Sequence, residues 1–140
     1  FPVINVKATL LDGKYHDVDS NELAFKMAAI LAFKNAYEKC HPIILEPIIR
    51  VRVSVNQEFI GNVLSDLTSR RGRVQSFEED EGGRQEIIAL VPEAEILDYA
   101  SSLRALTQGS GFFTRNFECY EQVPEYLKDK VIRDNSLLNK

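Results

Sequence analysis

The fold is decided by the stretch Ile49-Arg50-Val51-Arg52-Val53-Ser54-Val55, in which apolar and polar side chains alternate without a break. Alternation with a period of two is typical of a strand that buries one face and exposes the other. Directly after it, apolar residues recur at helical spacing: Phe59, Ile60, Val63, Leu64 and Leu67. The pattern therefore predicts a strand followed at once by a helix, which Arg70-Arg71-Gly72 ends with Gly72 as the left-handed cap.

Downstream of that helix, the pattern continues to residue 120. Arg73 to Glu78 and Gln85 to Val91 are predicted to form two strands of a hairpin. Pro92 begins a second helix, Gly109-Ser110-Gly111 ends it, and Phe112 to Tyr120 forms a last strand. The order β-α-β-β-α-β predicts an α+β ferredoxin-like sandwich, with a four-stranded antiparallel sheet and both helices on one face.

The core of this sandwich is predicted from the two helices. Leu64 and Leu103 occupy the apolar side of the first and the second helix, respectively. We therefore expect both leucines to be buried against the sheet.

The first 44 residues predict a different, incomplete unit. Val3 to Leu11 and Tyr15 to Val18 are expected to pair as a hairpin around Asp12-Gly13. A helix then runs to about Lys39, capped by Asp19 or Ser20. Its apolar residues occupy most of its circumference, so residues 1–44 are interpreted as a partial α+β segment of a longer protein. Residues 125–140 are expected to form a helical tail.

Composition limits the classes of function. The chain has 140 residues and a net charge of -4, with 17 Lys and Arg against 21 Asp and Glu. An acidic balance argues against broad electrostatic binding of nucleic acid, so any RNA contact must be local. The sequence contains neither a membrane-spanning run nor a secretory signal, and we expect a soluble, cytoplasmic protein without membrane partners. Cys40 and Cys119 are interpreted as reduced thiols.

Catalytic and metal-binding motifs are missing from the sequence. It contains no phosphate loop, dinucleotide fingerprint, zinc-protease motif or nucleophile elbow, so no catalytic residue, cofactor or metal is assigned. His16 and His41 have no nucleophile nearby in sequence. The acidic run Glu78 to Glu81 is interpreted as a solvated loop rather than a cation site.

Arginines form the one suggestive cluster. Between residues 48 and 73, the positions Arg50, Arg52, Arg70, Arg71 and Arg73 meet only Glu58 and Asp66, which leaves a local charge of +3. Guanidinium forks suit phosphate oxygens. The alternative is structural: Arg70 and Arg71 complement the helix dipole, while Arg50 and Arg52 cover the open sheet.

Four separated motifs carry a resemblance to a known family. They are Tyr15-His16-Asp17-Val18-Asp19-Ser20, Leu45-Glu46-Pro47-Ile48, Arg70-Arg71-Gly72-Arg73 and Leu106-Thr107-Gln108-Gly109, in this order and spacing. In these motifs the chain resembles translation elongation factor G from Phe1 to Pro124. The resemblance implies that residues 1–44 are the last part of the fourth domain and residues 45–124 the ferredoxin-like fifth domain.

The resemblance also implies a function and partners. The family's full protein is a ribosomal GTPase that moves transfer RNA and messenger RNA, with GTP and Mg²⁺ bound in a domain that this chain lacks. Its fifth domain docks on large-subunit ribosomal RNA beside the stalk-base proteins. We therefore expect a monomer without GTPase activity of its own, which contacts the ribosome and other domains of its parent. Arg70, Arg71 and Arg73 are the predicted RNA-binding residues, expected to face solvent together.

Two departures from the family pattern keep the specific role open. The family usually has Gly-Arg-Gly-Ser-Phe-Thr at residues 109–114, so Ser110 stands where a cation is usual, and Arg115 replaces an apolar residue. A paralogue specialised for ribosome recycling and a tetracycline-type ribosomal protection protein are the nearest alternatives. A ferredoxin-like ligand-binding or regulatory module is the alternative from another class.

Overall fold

The computed structural model describes residues 1–138 and divides the chain into two compact units. Among these residues, the first unit contains 1–43 with 125–138, and the second contains 44–124. The elements, in chain order, are α1 (Glu22–Lys39), β1 (Leu45–Val55), α2 (Ile60–Ser69), β2 (Arg73–Glu79), β3 (Gln85–Pro92), α3 (Tyr99–Leu106), β4 (Phe112–Gln122) and α4 (Glu125–Leu138). None of these helices is both long and apolar enough to cross a bilayer.

The second unit confirms the predicted ferredoxin-like order. Its sheet has the strand order β2-β3-β1-β4, and every neighbouring pair is antiparallel. Strand β1 is central, with Val53 opposite Ile87 of β3 on one side and opposite Phe113 of β4 on the other. A central strand with a continuous apolar face requires cover, and α2 and α3 provide it. The α+β fold class is confirmed.

The core lies between one face of this sheet and the two helices. Ile49, Val51, Val53 and Val55 of β1 face it, because alternate residues of a strand point to the same side. Helices α2 and α3 contribute the fully buried residues Val63, Leu67, Tyr99 and Leu103. Leu103 is buried as predicted, but the prediction for Leu64 was wrong. Leu64 is half-buried at the rim of the core, one position from the stripe that Val63 and Leu67 define.

The helix predicted from Pro92 is shorter than expected. Pro92 is the last residue of β3, Glu93–Glu95 form a single 3-10 turn, and α3 begins only at Tyr99. Ile96 ends the turn with a non-helical backbone and is buried in the core. Anchoring Ile96 therefore interrupts the helix that the sequence pattern suggested.

The predicted hairpin of the first unit was wrong. Residues 1–20 contain no strand, and the alternating apolar residues from Val3 to Leu11 are exposed. Two strands without a packed face are marginal in water, which explains why the alternation alone does not produce a ladder.

Helix α1 is present but capped one residue later than predicted. Asn21, rather than Asp19 or Ser20, has extended backbone angles and accepts a hydrogen bond from the amide of Ala24. None of its residues is buried, although the helix carries apolar side chains around most of its circumference. The C-terminal segment forms α4, and positions 139 and 140 of the expected tail lie outside the described residues.

Candidate functional site

The predicted RNA-binding arginines lie at the turn that joins α2 to β2. The amide of Gly72 donates to the carbonyl of Leu67 at 2.8 Å, and that of Arg71 to Thr68 at 3.1 Å, the pattern of a Schellman motif. The left-handed residue is Arg71, with φ of 60°, so the assignment of this role to Gly72 was wrong. Glycine is needed at position 72 for space, because a Cβ there would lie 2.4 Å from the Leu67 carbonyl oxygen.

Arg70 is enclosed by α2 and α3. Its guanidinium donates to Asp66 and Asp98 at 2.9 and 2.7 Å, and to the hydroxyl of Ser102 at 2.8 Å. A further hydrogen bond of 2.6 Å reaches the carbonyl of Glu95. Partial burial acts to lower the pKa of Arg70, but the hydrogen bonds to Asp98 and Asp66 raise it above its ordinary value. With only 13% of its side chain exposed, Arg70 joins the ends of the two helices.

Tyr99 lies beneath the Arg70 guanidinium, whose central carbon is 5.2 Å from the centre of the ring. The Tyr99 ring also packs edge to face against the ring of Phe113, with the two ring centres 4.9 Å apart. The Tyr99 hydroxyl is buried and has no hydrogen-bond partner among the described residues. Burial raises the pKa of Tyr99 far above its ordinary value. The hydroxyl therefore stays neutral, and the ring serves as a packing surface for Arg70.

Arg71 connects the same turn to the start of β1. Its guanidinium forms a two-pronged pair with Glu46, at 2.7 and 2.9 Å, and also donates to Glu95 at 3.2 Å. Hydrogen bonding to Glu46 raises the pKa of Arg71 despite partial burial. The Arg71 and Glu46 side chains are only 21% and 12% exposed. A half-buried pair of this kind fixes the turn against the sheet, and breaking it would leave a carboxylate unpaired.

Arg73 is the accessible member of the three. Its guanidinium donates one hydrogen bond of 2.6 Å to Glu121 of β4, and 54% of its side chain is exposed. An exposed pair of this kind contributes little to stability, at most about 1 kcal/mol. Arg73 can therefore exchange its partner at low cost.

The expectation that Arg70, Arg71 and Arg73 face solvent together was wrong. Carboxylates that are remote in sequence surround them: Glu46, Glu95, Asp98 and Glu121 join the neighbouring Asp66. The local charge of +3 counted along the sequence is therefore neutralised in space. The RNA-binding role of the three arginines stays a prediction, and the structure gives them unequal access to a phosphate.

Arg50 and Arg52 lie on the open face of the sheet. Arg50 pairs with Glu118 through two hydrogen bonds of 2.9 Å, which raise the pKa of Arg50 and lower that of Glu118. Arg52 pairs with Glu86 at 3.1 Å. Both arginines thus lie over the sheet face that carries no helix, and each forms an ion pair with a neighbouring strand.

The turn that joins α3 to β4 binds the side chain of an arginine from another loop, which the sequence pattern did not reveal. The guanidinium of Arg84, which precedes β3, donates to the carbonyl of Ser110 at 2.8 Å. It also donates to the hydroxyl and carbonyl of Ser54 and to the side-chain oxygen of Asn56. Arg84 follows an acidic run and a glycine pair, so its position in sequence suggests an ordinary loop residue. No local signal indicates its partners, which lie 26 to 30 residues away.

Two further arginines are near this turn in sequence. Arg104 is exposed in the last turn of α3, and its carbonyl accepts the amide of Gly109 at 2.9 Å. Arg115 is exposed on β4, opposite Val51. Among residues 1–138, neither of these arginines nor Arg84 forms an ion pair.

Comparisons with known proteins agree with this architecture. The family model described as elongation factor G C-terminus matches residues 43–131, and that described as elongation factor G, domain IV matches residues 1–41. A crystal structure of a protein from Thermus thermophilus is 44% identical, with a TM-score of 0.75 over 90% of this chain. The match covers 19% of that protein, so the chain spans about a fifth of its length. The chain belongs to the elongation factor G family, with residues 1–41 matching domain IV and residues 43–131 the C-terminus.

Proposed function

We propose that this chain is the C-terminal ribosome-docking part of a translational GTPase that promotes GTP-dependent translocation of tRNA and mRNA. Family membership supports the translational GTPase, and an acidic chain in which a few arginines form no ion pair among residues 1–138 supports a local contact with RNA. In this proposal the parent protein acts in the cytoplasm and binds GTP and Mg²⁺ in another domain. The second unit docks on large-subunit ribosomal RNA beside the stalk-base proteins.

The docking proposal rests mainly on which residue type supplies the positive charge of the second unit. Every cation in residues 44–124 is an arginine: Arg50, Arg52, Arg70, Arg71, Arg73, Arg84, Arg104 and Arg115. Arginine presents a planar fork of five donors that matches phosphate oxygens, whereas lysine presents a strongly hydrated point charge. A unit that binds and leaves the ribosome in each cycle is suited to a few such contacts.

Within the predicted site, the three arginines take different roles. Arg73 is assigned to the RNA contact, because its guanidinium is exposed and holds a single exchangeable partner. Arg70 and Arg71 are positioning residues, because their donors are used by Asp66, Asp98 and Glu46. They keep the α2–β2 turn in place beneath Arg73.

The test uses the full-length protein and ribosomes from the same organism. Arg73→Gln is expected to weaken ribosome binding and to lower the slope of log affinity against log salt by about 0.7 to 0.9, with only a small change in melting temperature. Arg52→Gln is the matched control, because Arg52 is 55% exposed and also holds one ion pair. Equal effects of the two variants would contradict the assignment to Arg73.

The wider function is tested on the unmodified full-length protein. Movement of tRNA and mRNA after peptide-bond formation is measured separately from splitting of the two ribosomal subunits. Translocation that requires GTP supports the proposal. Splitting without translocation would assign the protein to recycling, and failure to bind ribosomes would overturn the docking function.

A further inference from the structure

We propose that Arg84 supplies the positive charge of the α3–β4 turn, residues 107–112, and that this guanidinium binds a phosphate group of large-subunit ribosomal RNA. The inference rests on the ribosome-docking function proposed above. It adds a residue to which neither the family match nor the sequence motifs point.

Arg84 gathers three separate segments at one end of the sheet. Its side chain starts beside β3 and reaches Ser54 near the end of β1, Asn56 in the next loop and Ser110 in the α3–β4 turn. The four hydrogen bonds measure 2.8 to 3.1 Å. Four bonds from one rigid fork fix the guanidinium before any ligand arrives, which lowers the entropic cost of binding.

The charge of Arg84 is not neutralised by these contacts. All four acceptors are hydroxyl, amide or carbonyl oxygens, whereas Arg50, Arg52, Arg70, Arg71 and Arg73 each pair with a carboxylate. A carboxylate contacts the backbone of Arg84 rather than its guanidinium, because Asp80 accepts the Arg84 amide at 2.9 Å. A half-buried cation without a counter-ion attracts an anion more strongly than one that is already paired.

The position of this charge matches a gap in the turn. Ser110 stands where the family pattern has a cation. The Ser110 hydroxyl donates a hydrogen bond of 2.7 Å to the carbonyl of Thr107. Arg84 brings a guanidinium to the Ser110 carbonyl from the loop before β3. Arg84 therefore supplies this turn with a positive charge that residues 107–112 themselves lack.

The remaining chemistry of Arg84 favours phosphate. A guanidinium has five N–H donors, and the four hydrogen bonds leave one donor on Nη1 together with the full charge. Phe112 lies under the group, with its ring centre 5.1 Å from the central carbon. This ring covers one face of the guanidinium and helps to hold it in place. The free edge is suited to one phosphate oxygen.

The experiment removes the positive charge at position 84 and, in one variant, places it at position 110 instead. Arg84→Gln, Arg84→Lys and the double variant Arg84→Gln with Ser110→Arg are made in the full-length protein. Binding to isolated large ribosomal subunits is measured at several salt concentrations, together with thermal melting. We expect Arg84→Gln to bind about tenfold more weakly, with a salt slope lower by about 0.7 to 0.9, the effect of losing one charged contact.

The other two variants separate charge from folding. The double variant is expected to recover most of the affinity and the slope, and Arg84→Lys to keep the slope. Unchanged affinity of Arg84→Gln would overturn the inference, as would a loss of affinity that Ser110→Arg does not restore. If the unmodified protein does not bind the subunits, the docking function itself fails, so the two failures are distinguishable.

Discussion

The turns after α2 and after α3 have a similar backbone but differ in charge. In each, a glycine amide donates to the carbonyl five residues earlier, from Gly72 to Leu67 and from Gly109 to Arg104. In each, the residue before the glycine has a positive φ, 60° at Arg71 and 50° at Gln108. Both helices therefore end in a left-handed residue closed by a hydrogen bond from the following glycine, although after α3 Gly109 also has a positive φ, of 82°.

The difference lies in where the charges originate. The first turn is rich in arginine along the sequence, yet carboxylates from β1, β4 and the segment before α3 neutralise it. The second turn contains no charged residue between positions 107 and 112, yet receives the unneutralised guanidinium of Arg84. Charge counted along a sequence is thus a poor guide to charge at a folded surface, because an ion pair needs proximity only in space.

The largest expected effect distinguishes the two glycines. Gly72→Ala places a Cβ 2.4 Å from the Leu67 carbonyl oxygen, and the backbone must move to relieve the contact. We expect the free energy of unfolding to fall by about 3 kcal/mol. Gly109→Ala meets no atom within 4 Å and should cost only about 1 kcal/mol, for its positive φ. Urea melts measure both losses, and equal losses would contradict the different packing of the two turns.

An intermediate effect separates the positioning arginine from the exposed one. Arg71→Gln leaves Glu46, only 12% exposed, without its two-pronged partner. We expect a loss of about 2 kcal/mol in the free energy of unfolding. Arg73→Gln should cost less than about 1 kcal/mol, because its pair with Glu121 is exposed. Chemical denaturation of both variants checks the order, and a larger loss for Arg73→Gln would show that the roles are reversed.

A smaller effect is expected in acid. The hydrogen bond from Arg70 lowers the pKa of Asp98 below its ordinary value of 3.8. A carboxylate with a lowered pKa in the native state stabilises the fold above its unfolded pKa, and this contribution is lost as the pH falls through the native pKa. Asp98→Asn should therefore reduce stability at neutral pH and flatten the loss of stability in acid.

Thermal melts of the native protein and Asp98→Asn, recorded from neutral pH down to acid, measure this difference. Glu93→Gln is a suitable control, since Glu93 lies in the same segment and forms no ion pair among the described residues. Parallel acid profiles for the native protein and Asp98→Asn would contradict a stabilising Arg70–Asp98 pair.

The sequence predicts the second unit well because its signals are local. The alternation from Ile49 to Val55 and the helical spacing of Val63 and Leu67 report directly which faces are buried. The same alternation failed from Val3 to Leu11, where the side chains are exposed. Alternation indicates a strand only when a second layer packs against it.

The candidate site was only partly predictable, for a different reason. The sequence indicates the arginines of the α2–β2 turn, but their partners lie up to 48 residues away, as for Arg73 and Glu121. Only the register of the sheet brings these residues together. The same applies to Arg84, which reaches Ser110 because β1 lies between β3 and β4.

The salt dependence of ribosome binding by Arg84→Gln and Arg71→Gln, measured side by side in the full-length protein, tests the central claim most directly. Arg71 is neutralised by Glu46, whereas the Arg84 guanidinium forms no ion pair with a carboxylate among the described residues. The account predicts that the slope of log affinity against log salt falls by about 0.7 to 0.9 for Arg84→Gln and stays unchanged for Arg71→Gln. A fall for Arg71→Gln with no change for Arg84→Gln would contradict it.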